Sequence, residues 1–136
     1  MKRSLSLSLS ACVIALGTVA LAQDEADYQK WMKTVGGTAG SLRKNLEAKN
    51  GDAAATDAKK LAEVFSQVHD FWHKKGVNDA MMTAMDARAK FQEVGELASA
   101  GKLDDAGAAL KKAMGTCGTC HSAHREKAAD GSWKIK

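Results

Sequence analysis

The chain has 136 residues, no proline, three cysteines and a formal net charge of +4. This length suffices for one domain with a single core and is too short for two. The absence of proline favours long uninterrupted helices. The charge is weak and scattered, without a basic stripe interleaved with aromatic residues, which excludes nucleic acid as a ligand.

Most of the apolar residues are small. After residue 22 the chain contains 21 alanines, whereas leucine, isoleucine, valine and phenylalanine together number only 15 of 114 residues. That share, about 13%, lies below the ~20% at which disorder is suspected. Either the chain is poorly folded, or a group that is not an amino acid fills its core.

Residues 1–22 are predicted to be a cleaved secretory signal peptide. Lys2 and Arg3 precede an uncharged apolar run over residues 10–22, which ends in small residues and predicts cleavage before Gln23. The run is too short and too rich in serine to span a membrane. Cleavage removes two cations and lowers the net charge to +2.

Cys12 offers an alternative reading of this segment. Together with the three residues before it, Cys12 matches a lipoprotein cleavage pattern, and its lipidation would anchor the protein. The apolar run continues past Cys12 instead of becoming polar, which favours the cleaved signal peptide. The mature chain then keeps two cysteines, Cys117 and Cys120, in an oxidising compartment.

Four segments of the mature chain carry apolar residues at steps of three and four, which gives each segment one apolar helix face. The predicted helices run between Asp24 and Asn50, from a cap at Asp52 to Gly76, from a cap at Asn78 to Gly101, and from about Asp104 to about Ala128. Residues 130–136 are predicted to be an irregular tail, from which Trp133 and Ile135 can lie back on the helices.

Helices of this length joined by loops of one to four residues run antiparallel to their neighbours. The predicted fold class is therefore all-α. Residues 23–136 are expected to form one domain, an antiparallel up-down-up-down four-helix bundle.

Cys117-Gly118-Thr119-Cys120-His121 is a C-x-x-C-H motif. Two cysteines three apart on a helix share a face and can add across the two vinyl groups of one haem. The adjacent His121 then presents its imidazole to the iron as the proximal ligand. A haem would also supply the apolar bulk that the alanines lack.

Three other interpretations of the motif are weaker. A thioredoxin-type redox site lies at the start of a helix after a strand, whereas this motif lies near the end of a predicted helix. Zinc held by Cys117, Cys120, His121 and His124 would need four ligands within eight helical residues, which cannot surround a metal tetrahedrally. Helical geometry disfavours a disulfide between positions three apart. The motif therefore favours haem.

A single C-x-x-C-H motif near the end of an exported four-helix chain resembles the class II c-type cytochromes, the cytochrome c′ family. Residues 117–125 resemble the family's C-x-x-C-H-x-x-aromatic-Arg ending, with His124 in place of the aromatic ring. The resemblance implies a bundle that encloses one covalently bound haem c. It also implies that Arg125 lies beside the proximal histidine; a contact with a haem propionate and a plain surface role are alternatives for this residue.

Residues 32–40 resemble the first-helix segment of the family's low-spin relatives. In those proteins the methionine at the Met32 position is the sixth iron ligand, whereas in cytochrome c′ a non-ligating residue faces an open site there. The family often has Tyr-Arg shortly before this position, where this chain has Tyr28 and Gln29. Those two residues are a departure from the family pattern. The methionine at position 32 is what makes the chain resemble the methionine-ligated relatives more closely.

The residues around Met32 leave two interpretations open. A methionine on an apolar helix face is by default core filling. Gly36, Gly37 and Gly40 follow it, and a glycine inside a helix costs roughly 1 kcal/mol relative to alanine. Three such glycines suggest the close approach of a neighbouring helix or of a haem plane.

Five other side chains offer a sixth ligand: His69, His73, Met81, Met82 and Met85. The two histidines share a helix face, but among charged neighbours they are more typical of a solvated face. The methionines are expected in the core, against the haem or a neighbouring helix. Trp31 and Trp72 are expected along the haem pocket or in the core.

The motif and the resemblance predict a one-haem electron carrier of the bacterial periplasm, with His121 as proximal and Met32 as distal iron ligand. The alternative is a five-coordinate protein that binds nitric oxide or carbon monoxide at an open sixth site. No nucleophile–base pair indicates an enzyme. The expected partners are redox proteins that dock transiently, and the family's dimers leave a homodimer open. Without haem, the chain is expected to be at best loosely folded.

Overall fold

A computed structural model describes residues 14–136, with side chains described from residue 24. This part of the chain forms four helices and a C-terminal hairpin: α1 (Ile14–Glu47), α2 (Gly51–Lys75), α3 (Asn78–Ser99), α4 (Leu103–His124), β1 (Arg125–Lys127) and β2 (Trp133–Ile135). Two or three residues join consecutive helices, so neighbours run antiparallel. The predicted packing of four helices against each other is confirmed.

Helix α1 begins earlier than expected, at Ile14 instead of near Asp24. Residues 14–22, which the sequence assigns to the signal peptide, continue into the same helix. This stretch is rich in alanine and leucine, both strong helix formers, and contains no proline. Residues 1–13 of the predicted signal peptide lie outside the described residues.

The caps of α2 and α3 also differ from expectation. Asn50, not Asp52, caps α2, and its side-chain oxygen accepts a hydrogen bond from the Ala53 N–H at 3.3 Å. Val77 precedes α3, so Asn78 is the first residue of that helix and makes no cap bond. The predicted end of α2 is confirmed, since Gly76 adopts the left-handed conformation with φ of 70°.

The prediction of an irregular tail is wrong. Helix α4 ends at His124 instead of near Ala128, and β1 and β2 pair antiparallel with Arg125 opposite Ile135. Two hydrogen bonds hold the hairpin to the helices. The Lys136 N–H donates to the carbonyl of His124 at the end of α4 at 3.1 Å, and Gln29 Nε2 of α1 donates to the Trp133 carbonyl at 3.2 Å. Ile135 packs on the core, as expected.

The core is built from a few large side chains and many alanines. Leu42, Leu61, Trp72, Phe91 and Val94 are its largest fully buried members. Eight alanines are almost wholly buried: Ala54, Ala58, Ala80, Ala84, Ala87, Ala98, Ala106 and Ala113. Small side chains let backbones approach, and a Cβ added at Gly95 would lie 3.4 Å from the Cβ of Ala58. The alanines therefore bring α2 and α3 into close contact without a filling group.

The opposite side of the bundle is more open. Helix α1 packs only sparsely against α4, whereas every consecutive pair of helices packs closely. The shortage of large apolar side chains therefore affects mainly the packing between α1 and α4. None of the helices, over the residues described, is long and apolar enough to cross a membrane.

Candidate functional site

A cleft of about 750 Å³ lies between α1, α4 and the hairpin. Its volume falls within the roughly 300–1,000 Å³ typical of small-molecule and cofactor sites. All five residues that the sequence selects line this one cleft: Met32, Cys117, Cys120, His121 and Arg125. The fold thus brings a side chain of the first helix to the motif at the end of the last.

Cys117 and Cys120 lie one turn apart in the second half of α4, and both thiols are free. Both are half-buried, and burial raises the pKa of each thiol above its ordinary value. The Asp79 carboxylate raises the pKa of the Cys120 thiol further. A lowered thiol pKa favours a dithiol redox centre, so the raised pKa values give no support to a thioredoxin-type site.

His121 is half-buried at the same wall of the cleft. Burial lowers the pKa of its imidazole, and the neighbouring Arg125 cation lowers it further. The neutral imidazole is the form that binds a metal ion. The surroundings of His121 therefore favour the ligating form near neutral pH.

His124 lines the cleft but is engaged with the protein. Its Nε2 lies 2.7 Å from Asp79 Oδ2, and its ring centroid lies 5.1 Å from that of Trp72. Within residues 24–136, no group of three or more histidine, cysteine, aspartate or glutamate side chains is arranged to hold a metal ion. The zinc interpretation of the motif therefore has no structural support.

Part of the α1 wall of the cleft is bare backbone. Met32, Gly36 and Gly40 follow one another at steps of four, so they share one helix face, and all three line the cleft. A Cβ added at Gly36 or Gly40 would meet nothing within 4 Å. Helix packing therefore does not require these glycines, and they leave space beside Met32. Gly37 has equally open surroundings but does not line the cleft.

The inner lining of the cleft is apolar, and sequence reasoning identified little of it. Its members include Tyr28, Val35, Ala39, Phe65, Val68, Ala84, Ala87 and Met114. Tyr28 is buried, and burial, with a smaller effect of Cys120, raises the pKa of its hydroxyl to about 12. The sequence signals for Tyr28 are its position one turn before Met32 and the family's tyrosine shortly before that methionine.

Neither tryptophan that was considered for the pocket lines it. Trp72 is buried beneath Tyr28, with ring centroids 5.6 Å apart, and Trp31 packs edge-on against Tyr28 and Phe71. Both belong to an aromatic cluster behind the cleft, which is the core role that the sequence left open.

Cations dominate the charge of the cleft. Of the described residues, four with positive side chains line it, and no carboxylate does: Lys33, Arg43, Arg125 and Lys134. The Arg125 guanidinium lies 3.9 Å above the Trp133 ring, and its Nε is buried without a hydrogen-bond partner. The other three could not be recognised from sequence, because only the fold brings them to one site. The arrangement suits an anionic ligand that carries carboxylates.

The other side chains considered as iron ligands lie outside the cleft: His69, His73, Met81, Met82 and Met85. The expectation that these methionines lie in the core is wrong for two of them. Met82 is 57% exposed and Met85 is 47% exposed, whereas Met81 packs partly against the core.

No protein-family model matches this chain, and comparisons with curated proteins and with solved structures find no match either. The case for a function rests on the residues and on the cleft that they line.

Proposed function

We propose that this chain is an exported one-haem electron carrier of the class II cytochrome type. In this proposal Cys117 and Cys120 hold haem c through thioether bonds, and His121 and Met32 are the proximal and distal iron ligands. The observation that carries the proposal is that Met32 on α1 and the C-x-x-C-H motif on α4 line one cleft. Two free thiols one helical turn apart, followed by a histidine, are the donor set used for covalent haem attachment.

The walls of the cleft fit such a group. Gly36 and Gly40 leave the α1 wall open to a flat ring, since no neighbouring atom occupies the space that a Cβ would take. The apolar lining suits a porphyrin face, and Arg43 and Arg125 supply cations for its carboxylates. The buried, unpartnered Nε of Arg125 is a donor without an acceptor in the protein itself.

When bound, the haem supplies a one-electron couple. The chain's own contribution is to hold a neutral imidazole at His121 and a thioether at Met32, and methionine ligation raises the potential relative to a second histidine. Buried side chains such as Tyr28 and Val68 exclude water from the inner end of the cleft. With both ligands held by helices, a change of oxidation state needs little rearrangement.

The site of action and the partners belong to the same proposal. The predicted signal peptide supports a periplasmic location. Lys33 and Arg43 are exposed beside the cleft, so a partner with an acidic surface is steered toward it. Redox partners of this kind dock weakly and transiently.

The five-coordinate alternative, a protein that binds nitric oxide or carbon monoxide, requires an open sixth site. The position of Met32 in the cleft lining favours a filled site instead. A visible spectrum separates the two, because a filled site gives a low-spin pattern and an open one a high-spin pattern.

Met32→Ala tests the assignment of the distal ligand. In protein matured with the haem attachment machinery, we expect a low-spin spectrum with an iron–sulfur charge-transfer band, and we expect Met32→Ala to abolish that band. Met114→Leu is the matched control, because Met114 is the other methionine in the lining of the cleft. This control should leave the band in place.

Each contrary result has a defined meaning. A band that survives Met32→Ala and disappears in Met114→Leu would overturn the ligand assignment and leave the haem in place. A high-spin spectrum of the unaltered protein would support the gas-binding alternative. Mature protein without covalently bound haem would refute both functions.

A further inference from the structure

A second group of metal-ligating side chains lies outside the cleft, on α2 and α3 between their connection and the groove that these two helices form. The register of these helices is fixed at two levels: Phe65 stacks on Phe91 with ring centroids 5.5 Å apart, and a Cβ at Gly95 would contact Ala58. The helices run antiparallel from a two-residue connection, so this register continues toward it. His69 is then level with Met85, and His73 is level with Met81.

The two histidines lie on the groove side of α2. Ala62 and Ser66 line the groove, and steps of three and four from Ser66 lead to His69 and then to His73. Residues at this spacing share a helix face. The two imidazole rings are nearly parallel, with centroids 6.1 Å apart, so they lie side by side on this face of the helix.

The facing side of α3 carries the methionines. Arg88 and Gln92 line the groove, and steps of three and four back from Arg88 lead to Met85 and Met81. Met85 is 47% exposed, so burial in the core does not account for a large apolar side chain at this position. Continued beyond the groove, the register of α2 and α3 therefore places two thioethers level with two imidazoles.

Asp70 orients one of these imidazoles. Its Oδ1 lies 2.9 Å from His69 Nδ1, and a carboxylate that accepts from Nδ1–H leaves Nε2 free to bind a metal. No third histidine, cysteine or carboxylate completes a site here, over the residues described. The soft donors on α3 at this level are the sulfurs of Met81 and Met85.

We propose that His69, His73, Met81 and Met85 form a site for Cu(I). Imidazole and thioether are ligands that a soft monovalent copper ion accepts, whereas magnesium and calcium require oxygen donors. Asp70 acts as a positioning residue through its contact with His69. The site does not depend on haem, because none of its residues lines the cleft.

The test is anaerobic titration with Cu(I) in competition with a chromophoric chelator. It uses the haem-loaded chain and, separately, the unloaded chain with its cysteines alkylated, so that no free thiol binds copper. We expect one retained copper per chain in both forms. Loss of a residue that only supports a metal ligand typically lowers metal affinity roughly 10–100-fold. Met85 and His73 are proposed as ligands themselves, so Met85→Leu and His73→Ala should each lower the Cu(I) affinity at least about tenfold.

Met82→Leu is the matched control, since Met82 is 57% exposed and lies away from the groove on the helical wheel. The Cu(I) affinity of the Met82→Leu variant should equal that of the unaltered chain. With labelled methionine methyl groups, the NMR signals of Met81 and Met85 should shift with Cu(I) and that of Met82 should not. Helical circular dichroism shows whether each variant is folded.

Several outcomes would overturn the site. These are no retained copper in either form, an equal loss in Met82→Leu, or a loss in His73→Ala with none in Met85→Leu. The last result would mean that the imidazole pair binds alone. Copper that the alkylated chain retains and that Met85→Leu releases would support the site even if the haem proposal failed, because Met85 does not line the cleft.

Discussion

His124 fixes the end of the helix that carries the C-x-x-C-H motif. Its imidazole packs on Trp72, and its Nε2 bonds to Asp79 at the start of α3. This contact holds the pKa of the Asp79 carboxyl below its usual value. Because His121 lies three residues earlier on the same helix, a contact that anchors His124 also positions the proposed iron ligand.

The lowered pKa of Asp79 predicts an acid sensitivity. A carboxyl whose pKa is lower in the folded than in the unfolded state stabilises the fold above its unfolded pKa, about 3.9. This stabilisation is lost as the pH falls through the folded value. We therefore expect the stability advantage of the unaltered chain over Asp79→Asn to be full above about pH 5 and to shrink on further acidification.

Urea unfolding at a series of pH values measures this advantage. Glu93→Gln serves as the control, since Glu93 is an exposed carboxylate in the middle of the same helix. Its variant should show no comparable loss. An advantage over Asp79→Asn that grows on acidification would contradict the role given to the Asp79–His124 pair.

At the scale of the element, α1 combines a ligand with an open wall. Met32, Gly36 and Gly40 follow at helical spacing, which places the proposed ligand beside backbone that carries no side chain. Glycine in a helix interior is unfavourable, and nothing packs against these positions. The destabilisation of the helix by Gly36 and Gly40 is explained if a bound ligand occupies the space beside them.

Gly40→Leu and Gly37→Leu distinguish a glycine that leaves space for a ligand from a glycine that has no such role. In the haem-free chain both should raise stability by roughly 0.5–1 kcal/mol, because a helix prefers leucine to glycine and neither position is crowded. With haem bound, Gly40→Leu should lower stability by about 1–3 kcal/mol through overpacking. Gly37→Leu should remain stabilising, because Gly37 lies outside the cleft.

Thermal unfolding of the two variants, with and without haem, measures this change of sign. A Gly40→Leu protein that binds haem with undiminished stability would show that the α1 wall does not face the haem.

The hairpin is the element that closes the end of the cleft. Trp133 and Ile135 line it from β2, and the Trp133 ring supports the Arg125 guanidinium from β1. Such a cation–π contact contributes on the order of 0.5–1 kcal/mol at an exposed site. The hairpin therefore holds Arg125 in place beside the motif.

At the scale of the whole molecule, the bundle has a closely packed half and an open half. Helices α2 and α3 meet through alanine and glycine, as at Ala58 and Gly95, whereas α1 packs sparsely against α4. The expectation that the haem-free chain is loosely folded therefore applies to one part of the bundle. Looseness should concentrate in α1, which faces the cleft.

Amide hydrogen exchange of the mature chain tests this expectation. Without haem, amides of α1 around Gly36 and Gly40 should exchange faster than those of α2 and α3 around Phe65 and Phe91, because they belong to a less stable unit. Covalent attachment of haem should slow exchange in α1 most. Equal protection of all four helices without haem would contradict a core completed by the cofactor.

The sequence by itself determined the local features of this protein. The three-four spacing of apolar residues depends only on helix geometry, so it located four helices, and Gly76 marked the end of α2 through its left-handed conformation. The C-x-x-C-H motif is equally local, since its chemistry lies within five consecutive residues. The cap at Asn50 was missed because Asn50 and Asp52 are both suitable capping residues. Val77 was missed because an apolar side chain makes no cap bond and gives no capping signal.

Only the tertiary structure decided which helix faces meet. It placed Tyr28 rather than Trp72 at the cleft, brought Lys33 and Arg43 to the same cleft as Arg125, and left Met85 exposed. It also paired β1 with β2, three-residue strands too short to show a periodic pattern. Spacing along one helix says which residues share a face, but the partner of that face depends on packing between segments distant in the chain.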